Sequence, residues 1–317
     1  MAKHASCNRC TATKVSRAVF LLIISLFLSA SISAQVRYSV IPETPRPGEP
    51  VTIGVNYPAK NASLIVNGRQ AARSAFFTIP EENGKPGFMA AVVTVPSTVN
   101  PGSAVIRLDN ETGPFLEIPI TIAPRDFVSE IIDLNPVLTG IRTDPSPQRE
   151  EEANRLWAIL STSGDQVYHT GPFLPPVVSE RRTSFFGDRR VFRYSNGASD
   201  TSIHAGVDFG VPTGTRVFAC GAGKVVLARM RIVTGNSVVI EHAPGIYSLY
   251  YHLDRIDVQE GAVINTGTII GLSGATGLAT GPHLHWEVRV STENTDPDAF
   301  VSRLIIDKDM IISRIFN

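Results

Sequence analysis

The sequence predicts an all-β protein made of two β domains that are joined by a helical connector. Three observations support this fold class. Short apolar stretches recur between turn-forming residues over positions 36 to 122, a stretch with helical character follows, and glycine-rich strands return over positions 183 to 293. A chain of 317 residues is long enough for two such domains.

Residues 1–34 are expected to be a secretory signal peptide. They contain four basic residues and no acidic residue, and the apolar run AVFLLIISLFLSASISA fills positions 18 to 34. A basic start, an apolar run and small residues at its end are typical of such a leader. We predict cleavage after Ala34 and export to the periplasm or cell envelope. The alternative is an uncleaved membrane anchor, although the strictly apolar part is shorter than the ~20 residues that a spanning helix needs.

Charge and cysteine content limit the partners. Basic and acidic residues both number 29, and without the leader 25 basic residues would face 29 acidic ones. This balance indicates no nucleic-acid partner, and a membrane contact is expected only if the leader is uncleaved. Cys220 would be the one remaining cysteine, so no intramolecular disulfide is expected. An exported chain of this kind must be stabilised by its core or by a metal.

Residues 35–122 are predicted to form an immunoglobulin-like β-sandwich. Turn-formers such as PRPGEP, ENGKPG and VNPGS separate seven apolar stretches, which is typical of this fold. The stretches are VRYSVI, PVTIGVNY, ASLIVNG, SAFFTI, FMAAVVTV, SAVIRL and FLEIPITI. No cluster of chemically reactive residues occurs among them.

Residues 123–182 are predicted to be a connector with one helix. Pro145 and Pro147 come before QREEEANRLWAIL, whose acidic residues favour a helix start. The apolar side of this helix would consist of Leu156, Trp157 and Leu160.

Residues 183–317 are predicted to be a compact antiparallel β domain with a C-terminal tail. The tail would hold a short helix and a packing segment. The predicted strands are RVFAC, GKVVLARMRI, SVVIEHA, YSLYYHL, AVINTGTIIGLSG and LHWEVRV.

Histidines are concentrated in this domain. The stretch TGPHLHWEV places His283 and His285 one residue apart, and side chains two positions apart on a strand share a face. The stretch HAGVDFG places His204 four residues before Asp208, and its glycines argue against a helix. His204, Asp208 and His285 together offer two imidazoles and one carboxylate. Three protein ligands without cysteine are typical of a catalytic zinc site that keeps a position for water.

Two further histidines are available for proton transfer. A zinc hydrolase needs a base for its water and a donor for the developing oxyanion and the leaving amine. The glutamate of an H-E-x-x-H motif is absent, but histidine can fill both roles near neutral pH. His283 lies beside His285, and His252 ends the apolar stretch LYYHLD.

Residues 183–293 resemble the lysostaphin-type, or β-lytic, zinc metallopeptidases, a family that includes LytM-like murein endopeptidases. The resemblance rests on H-x-x-x-D at 204–208, Y-x-H-L around His252 and H-x-H at 283–285, in that order. The surrounding stretches SFFGDRRVF, HAGVDFGVPTGTRVFACGAGKVV and TGPHLHWEVRV agree with it.

The resemblance implies a zinc metalloendopeptidase with zinc ligands His204, Asp208 and His285. His283 would be the general base towards the water, and His252 would stabilise the tetrahedral intermediate. The implied substrates are peptide cross-links of bacterial peptidoglycan, with D-Ala–diaminopimelate links expected and glycine bridges used by other members. The alternative is a non-catalytic relative that binds cell wall or activates a separate hydrolase, and a regulatory protein partner fits either case.

Several neighbouring residues receive weaker expectations. We expect Trp286 to pack in the core, and Glu287 either to support a metal ligand or to lie on a solvated face. We expect His242 to support the site or be structural, and His169 to lie at the surface. Arg189 and Arg190 either bind substrate carboxylates or are solvated. The sandwich is further expected to position or restrain the catalytic domain, and the sandwich or the connector to cover its groove.

Overall fold

Strands make up far more of the described structure than helices do. The structure is a computed structural model that describes residues 36–317, so the predicted signal peptide lies outside the described residues. Twenty-one strands and four short helices make up the described part, which confirms the predicted fold class. None of these four helices combines the length and the apolar character needed to cross a membrane.

Eight strands form two antiparallel sheets that pack face to face near the N-terminus. They are β1 (Tyr38–Ile41), β2 (Pro50–Val55), β3 (Asn61–Val66), β4 (Arg69–Ala75), β5 (Phe77–Ile79), β6 (Phe88–Thr94), β7 (Gly102–Asn110) and β8 (Gly113–Ile122). One sheet has the order β1-β2-β6-β5 and the other β4-β3-β7-β8. Apolar side chains from both sheets, among them Ile53, Leu64 and Ile106, form the core between them. The immunoglobulin-like topology of this sandwich stays a prediction.

Strand β4 was not predicted from the sequence. Its residues, RQAARSA, include no large apolar side chain, so the strand has no hydrophobic pattern. The preceding turn explains the pairing. Asn67 and Gly68 have φ values of 50° and 73°, which a two-residue hairpin turn requires, and β4 pairs directly with β3.

The connector contains more structure than the one predicted helix. Strand β9 (Ser129–Asp133) and helix α1 (Pro136–Arg142) precede the expected helix α2 (Pro147–Ser161). Leu156 and Leu160 pack against the C-terminal domain, in agreement with their predicted place on the apolar side of the helix. The assignment of Trp157 to the apolar side was wrong. Its side chain is 60% exposed, because it lies about 100° around the helix from Leu156.

The C-terminal domain is built on a ten-stranded antiparallel sheet. Its longest continuous path has the order β10-β13-β20-β17-β16-β15-β18, with β14, β19 and β21 paired beside it. The strands are β10 (Arg182–Ser184), β13 (Val207–Phe209), β14 (Arg216–Phe218), β15 (Gly223–Arg231), β16 (Gly235–Ala243), β17 (Ile246–Ile256), β18 (Val263–Ile264), β19 (Ile269–Ser273), β20 (Leu284–Val290) and β21 (Glu293–Thr295).

A small three-stranded sheet joins the connector to this domain. It has the order β12-β11-β9, with β11 (Arg189–Arg193) and β12 (Ser199–Ile203) as a hairpin. The pairing of β9 with β11 is parallel, whereas β11 and β12 are antiparallel. A strand of the connector is thus an integral part of the fold around the C-terminal domain.

The C-terminal tail packs on the outer face of the sandwich. It forms helices α3 (Pro297–Ser302) and α4 (Lys308–Phe316), in agreement with the predicted helix and packing segment. Ile311 of α4 shares a buried cluster with Phe88 of β6 and Phe300 of α3. A Cβ atom at Gly54 of β2 would lie only 2.3 Å from Cγ2 of Ile311, so the helix approaches the sheet closely. Residues 36–317 therefore form one compact unit.

We expect Ile311→Ala to lower the free energy of unfolding by about 2–5 kcal/mol, because it opens a cavity in this fully buried contact. Met310→Ala, on the exposed side of the same helix, should change it by less than about 0.5 kcal/mol. Urea denaturation measures both values. Equal effects of the two variants would contradict the described packing of α4.

Candidate metal centre

The pairing of two neighbouring strands brings the predicted ligands Asp208 and His285 together. Strands β13 and β20 are antiparallel, and Asp208 lies directly opposite His285 in their register. Residues on either side of this pair, Val207 and Trp286, point into the core. The expectation that Trp286 packs in the core is confirmed.

His204 reaches the same point from the turn that precedes β13. Its segment is not one extended strand, because β12 ends at Ile203 and β13 begins at Val207. Gly206 lets this turn approach β20 closely, since a Cβ atom there would lie 2.1 Å from the carbonyl oxygen of Trp286. The His204 Nδ1 atom lies 2.8 Å from the carbonyl oxygen of Phe185 and donates to it, which leaves Nε2 directed at Asp208 and His285.

Three ligand atoms of suitable type converge in a buried position. His204 Nε2 lies 3.0 Å from His285 Nδ1 and 3.1 Å from Asp208 Oδ1, and His285 Nδ1 lies 2.7 Å from Asp208 Oδ1. Neighbouring ligands of a tetrahedral zinc ion, bound at ~2.0–2.1 Å, are about 3.3 Å apart. Two imidazoles and one carboxylate at this spacing fit a divalent metal after small shifts.

Each candidate ligand is held by an outer partner. The Asp208 Oδ2 atom accepts a hydrogen bond from Arg190 at 2.9 Å, and His285 Nε2 lies 3.0 Å from Glu287 Oε1. Arg289 in turn donates to Glu287 at 2.8 Å. Glu287 is buried, so of the two expectations the supporting role fits and the solvated face does not. Such partners fix the tautomer and orientation of metal-binding histidines.

The charges at the site favour a cation. Burial alone would raise the pKa of Asp208, but the positive charge on His285 and the hydrogen bonds from both histidines hold it well below its usual value. Burial would likewise lower the pKa of His285, yet Asp208 and Glu287 outweigh burial and raise it to about 9. The two carboxylates therefore make a positive charge favourable at this position.

His252 and His283 open onto the same point. Their ring centroids are 4.8 Å apart, and His283 Nε2 lies 3.9 Å from Asp208 Oδ1. The Nδ1 atoms donate to backbone carbonyl oxygens, that of His252 to Thr276 at 2.7 Å and that of His283 to Gly281 at 2.8 Å. Burial, together with the neighbouring imidazoles, lowers the pKa of His252 to about 3. His252 is thus neutral with a free Nε2 lone pair.

The backbone of His252 explains its direction. Its φ is +60°, in the left-handed region that non-glycine residues rarely adopt, and the ladders of β17 shift register beside it. Consecutive side chains of a regular strand would face opposite ways. At this bulge Tyr251 and His252 both line one cleft, and Tyr251 lies parallel to the His285 ring at a centroid distance of 5.5 Å. Sequence reasoning missed Tyr251, because strict alternation points it away from the site.

The remaining candidates lie elsewhere or have other roles. His242 is structural, since it is buried between the Ala222 carbonyl and the Ser248 hydroxyl. His169 is half-buried at the surface beside Phe173. Neither arginine is simply solvated. Arg189 donates to the Ser97 carbonyl oxygen at 2.6 Å, whereas Arg190 contacts the site itself.

A cleft of about 260 Å³ leads to the five predicted site residues. One of its walls belongs to the connector, because Ile132, Leu134 and Arg142 line it. The connector therefore borders the groove, and whether the connector or the sandwich covers it stays a prediction.

Known proteins match the part of the chain that contains this site. Residues 202–297 match the model of Peptidase family M23. The peptidoglycan DD-endopeptidase ShyB of Vibrio cholerae serotype O1 is 44% identical over 107 residues, which cover 34% of this chain and 25% of ShyB. The peptidoglycan DD-endopeptidase ShyA of the same organism is 38% identical over 128 residues, which cover 40% of this chain and 29% of ShyA. The match thus spans less than a third of either curated relative.

A solved structure extends the likeness beyond the matched residues. A crystal structure from Pseudomonas aeruginosa, assigned to peptidase M23, aligns with a TM-score of 0.54 and 25% identity. The alignment covers 81% of this chain and 94% of that chain. The chain carries a peptidase family M23 domain, and the resemblance seen in its sequence is confirmed.

Replacing Glu287 by Gln should weaken Zn²⁺ binding by about 10- to 100-fold, because the neutral amide no longer supports the basicity of His285. Competition with a chromophoric chelator at fixed pH measures the affinity. Glu241→Gln is the matched control, because this buried glutamate of the same sheet contacts Gly164 and Tyr247 and no histidine of the site. Unchanged affinity in Glu287→Gln would contradict the supporting role.

Proposed function

We propose that this protein is a secreted zinc metalloendopeptidase that hydrolyses peptide cross-links of bacterial peptidoglycan. The observation that supports this most strongly is the convergence of three buried ligand atoms beside two more imidazoles in one cleft. The two Vibrio cholerae relatives are named peptidoglycan DD-endopeptidases, which favours a cross-linked peptide as substrate. Export follows from the predicted signal peptide at 1–34.

In this proposal His204, Asp208 and His285 hold the metal. The donor set of two imidazole nitrogens and one carboxylate oxygen is typical of zinc, and no cysteine of residues 36–317 belongs to it. A bound Zn²⁺ ion would polarise the scissile carbonyl and supply a water with a pKa near 7. The partners of these side chains, Phe185, Arg190 and Glu287, keep the three donor atoms aimed at one point.

The proton chemistry falls to His252 and His283. His283 would take the proton of the attacking water, since its Nε2 atom is directed at the site and its Nδ1 proton is used elsewhere. His252 would stabilise the developing oxyanion and serve the leaving amine. It can donate from Nε2 only after taking up a proton from solvent, because its Nδ1 proton is held by Thr276. We therefore expect His252 to gain that proton as the oxyanion develops and to pass it to the leaving amine, while His283 returns the proton of the water to solvent.

The zinc-loaded protein should release new amino termini from purified murein. His285→Ala should lose both stoichiometric zinc and cleavage, because only two of the three ligands remain. His169→Ala, which removes a half-buried histidine outside the cleft, should retain both. Amino-terminal labelling and mass spectrometry of the fragments give the readout and identify the bond. A wild-type protein that binds zinc but never cleaves murein would favour the non-catalytic, cell-wall-binding alternative.

Separate replacement of His252 and His283 by Ala should lower kcat by about 10²- to 10⁴-fold while leaving one zinc ion per chain, because both serve proton transfer and neither binds the metal. Steady-state kinetics on a cross-linked muropeptide and elemental analysis test the two parts. Loss of zinc in either variant would instead make that residue a ligand.

A further inference from the structure

The structure places a charged residue of the connector within reach of the candidate metal centre. Strand β9 pairs with β11 in a parallel register that sets Glu130 against Arg190. The Arg190 Nε atom lies 2.5 Å from Glu130 Oε1, and the Nη2 atom of the same guanidinium donates to Asp208 Oδ2 at 2.9 Å. Arg190 therefore bridges a connector carboxylate and a carboxylate of the site.

The bridge is shielded from solvent on the side of the site and tied to further groups, while the Glu130 side chain at its outer end is 32% exposed. The side chain of Arg190 is 15% exposed and that of Asp208 only 9%, so their charges are weakly screened. The Ser184 hydroxyl lies 2.7 Å from the guanidinium of Arg190 and 3.2 Å from Glu130 Oε1. Ser184 is also the register partner of Asp208 in the pairing of β10 with β13. These contacts hold the guanidinium in one orientation.

We propose that Glu130 is a positioning residue for the metal ligand Asp208, acting through Arg190. The inference rests on the proposed zinc centre. Arg190 binds Oδ2 and so leaves Oδ1 directed at the two histidines. Without Glu130, the full charge of Arg190 would face Asp208 alone and compete with a metal for that carboxylate. Glu130 balances this charge and anchors the guanidinium, so a segment outside the matched domain tunes the centre.

The test is the Zn²⁺ affinity of Glu130→Gln in the full chain, measured with zinc alone by competition with a chromophoric chelator. We expect about a 10-fold loss, because the uncompensated arginine weakens the carboxylate ligand. Asp133→Asn is the matched control. It removes an exposed ion pair between the same two strands, from Asp133 to Arg193 at 2.9 Å, and should keep the wild-type affinity.

A second readout separates positioning from a loss of structure. The visible absorption bands of the Co²⁺-loaded protein report the geometry of the ligands, and we expect them to change in Glu130→Gln but not in Asp133→Asn. Both metal-free variants should unfold at similar temperatures. Wild-type zinc affinity and unchanged bands in Glu130→Gln would overturn the inference, as would equal losses in both variants. If the wild-type protein itself binds no zinc, the proposed function fails instead.

Discussion

The register between β13 and β20 is the constraint on which the site depends. It sets Asp208 opposite His285 and turns both into the cleft, while Val207 and Trp286 turn into the core. Because side chains alternate along a strand, a slip of one residue would exchange the two sets and bury the polar pair among apolar groups. The apolar core thereby specifies the position of the polar site. The large buried indole of Trp286 makes the alternative register costly.

Charge compensation holds the site in place once the register is set. Asp208 and Glu287 are buried carboxylates on either side of His285. Asp208 is paired with Arg190, and Glu287 is paired with Arg289. Buried carboxylates without such partners would be strongly destabilising. The arginines occupy the outer oxygens and leave the inner ones facing the imidazoles. The point where three donor atoms meet is therefore an electronegative position that a cation or a proton must fill.

The sequence alone was informative where chemistry and strand period agree. H-x-H near β20 predicted that His283 and His285 share a face, and both do line the cleft. It was uninformative where a backbone irregularity sets direction, as at the left-handed His252 that brings Tyr251 to the site. It also failed for two strands with little apolar pattern. Strand β4 lacks large apolar side chains and is defined by its hairpin with β3, whereas β9 is defined by its pairing with β11, which is distant in the chain.

The N-terminal part of the described chain contributes both to the cleft and to the packing of the C-terminal helices. Its connector supplies a wall of the cleft, and its sandwich packs against the C-terminal helices. The likeness to the Pseudomonas aeruginosa structure over 81% of the chain agrees with a shared architecture on this scale. A substrate that enters the cleft would therefore contact the connector as well as the C-terminal domain.

The most direct measurement is X-ray absorption at the zinc edge of the purified full-length protein. The account predicts one zinc ion per chain, with two imidazole nitrogens, oxygen from a carboxylate and water, and no sulfur in its coordination sphere. A sulfur ligand, a single imidazole, or a protein that retains no stoichiometric metal would contradict it.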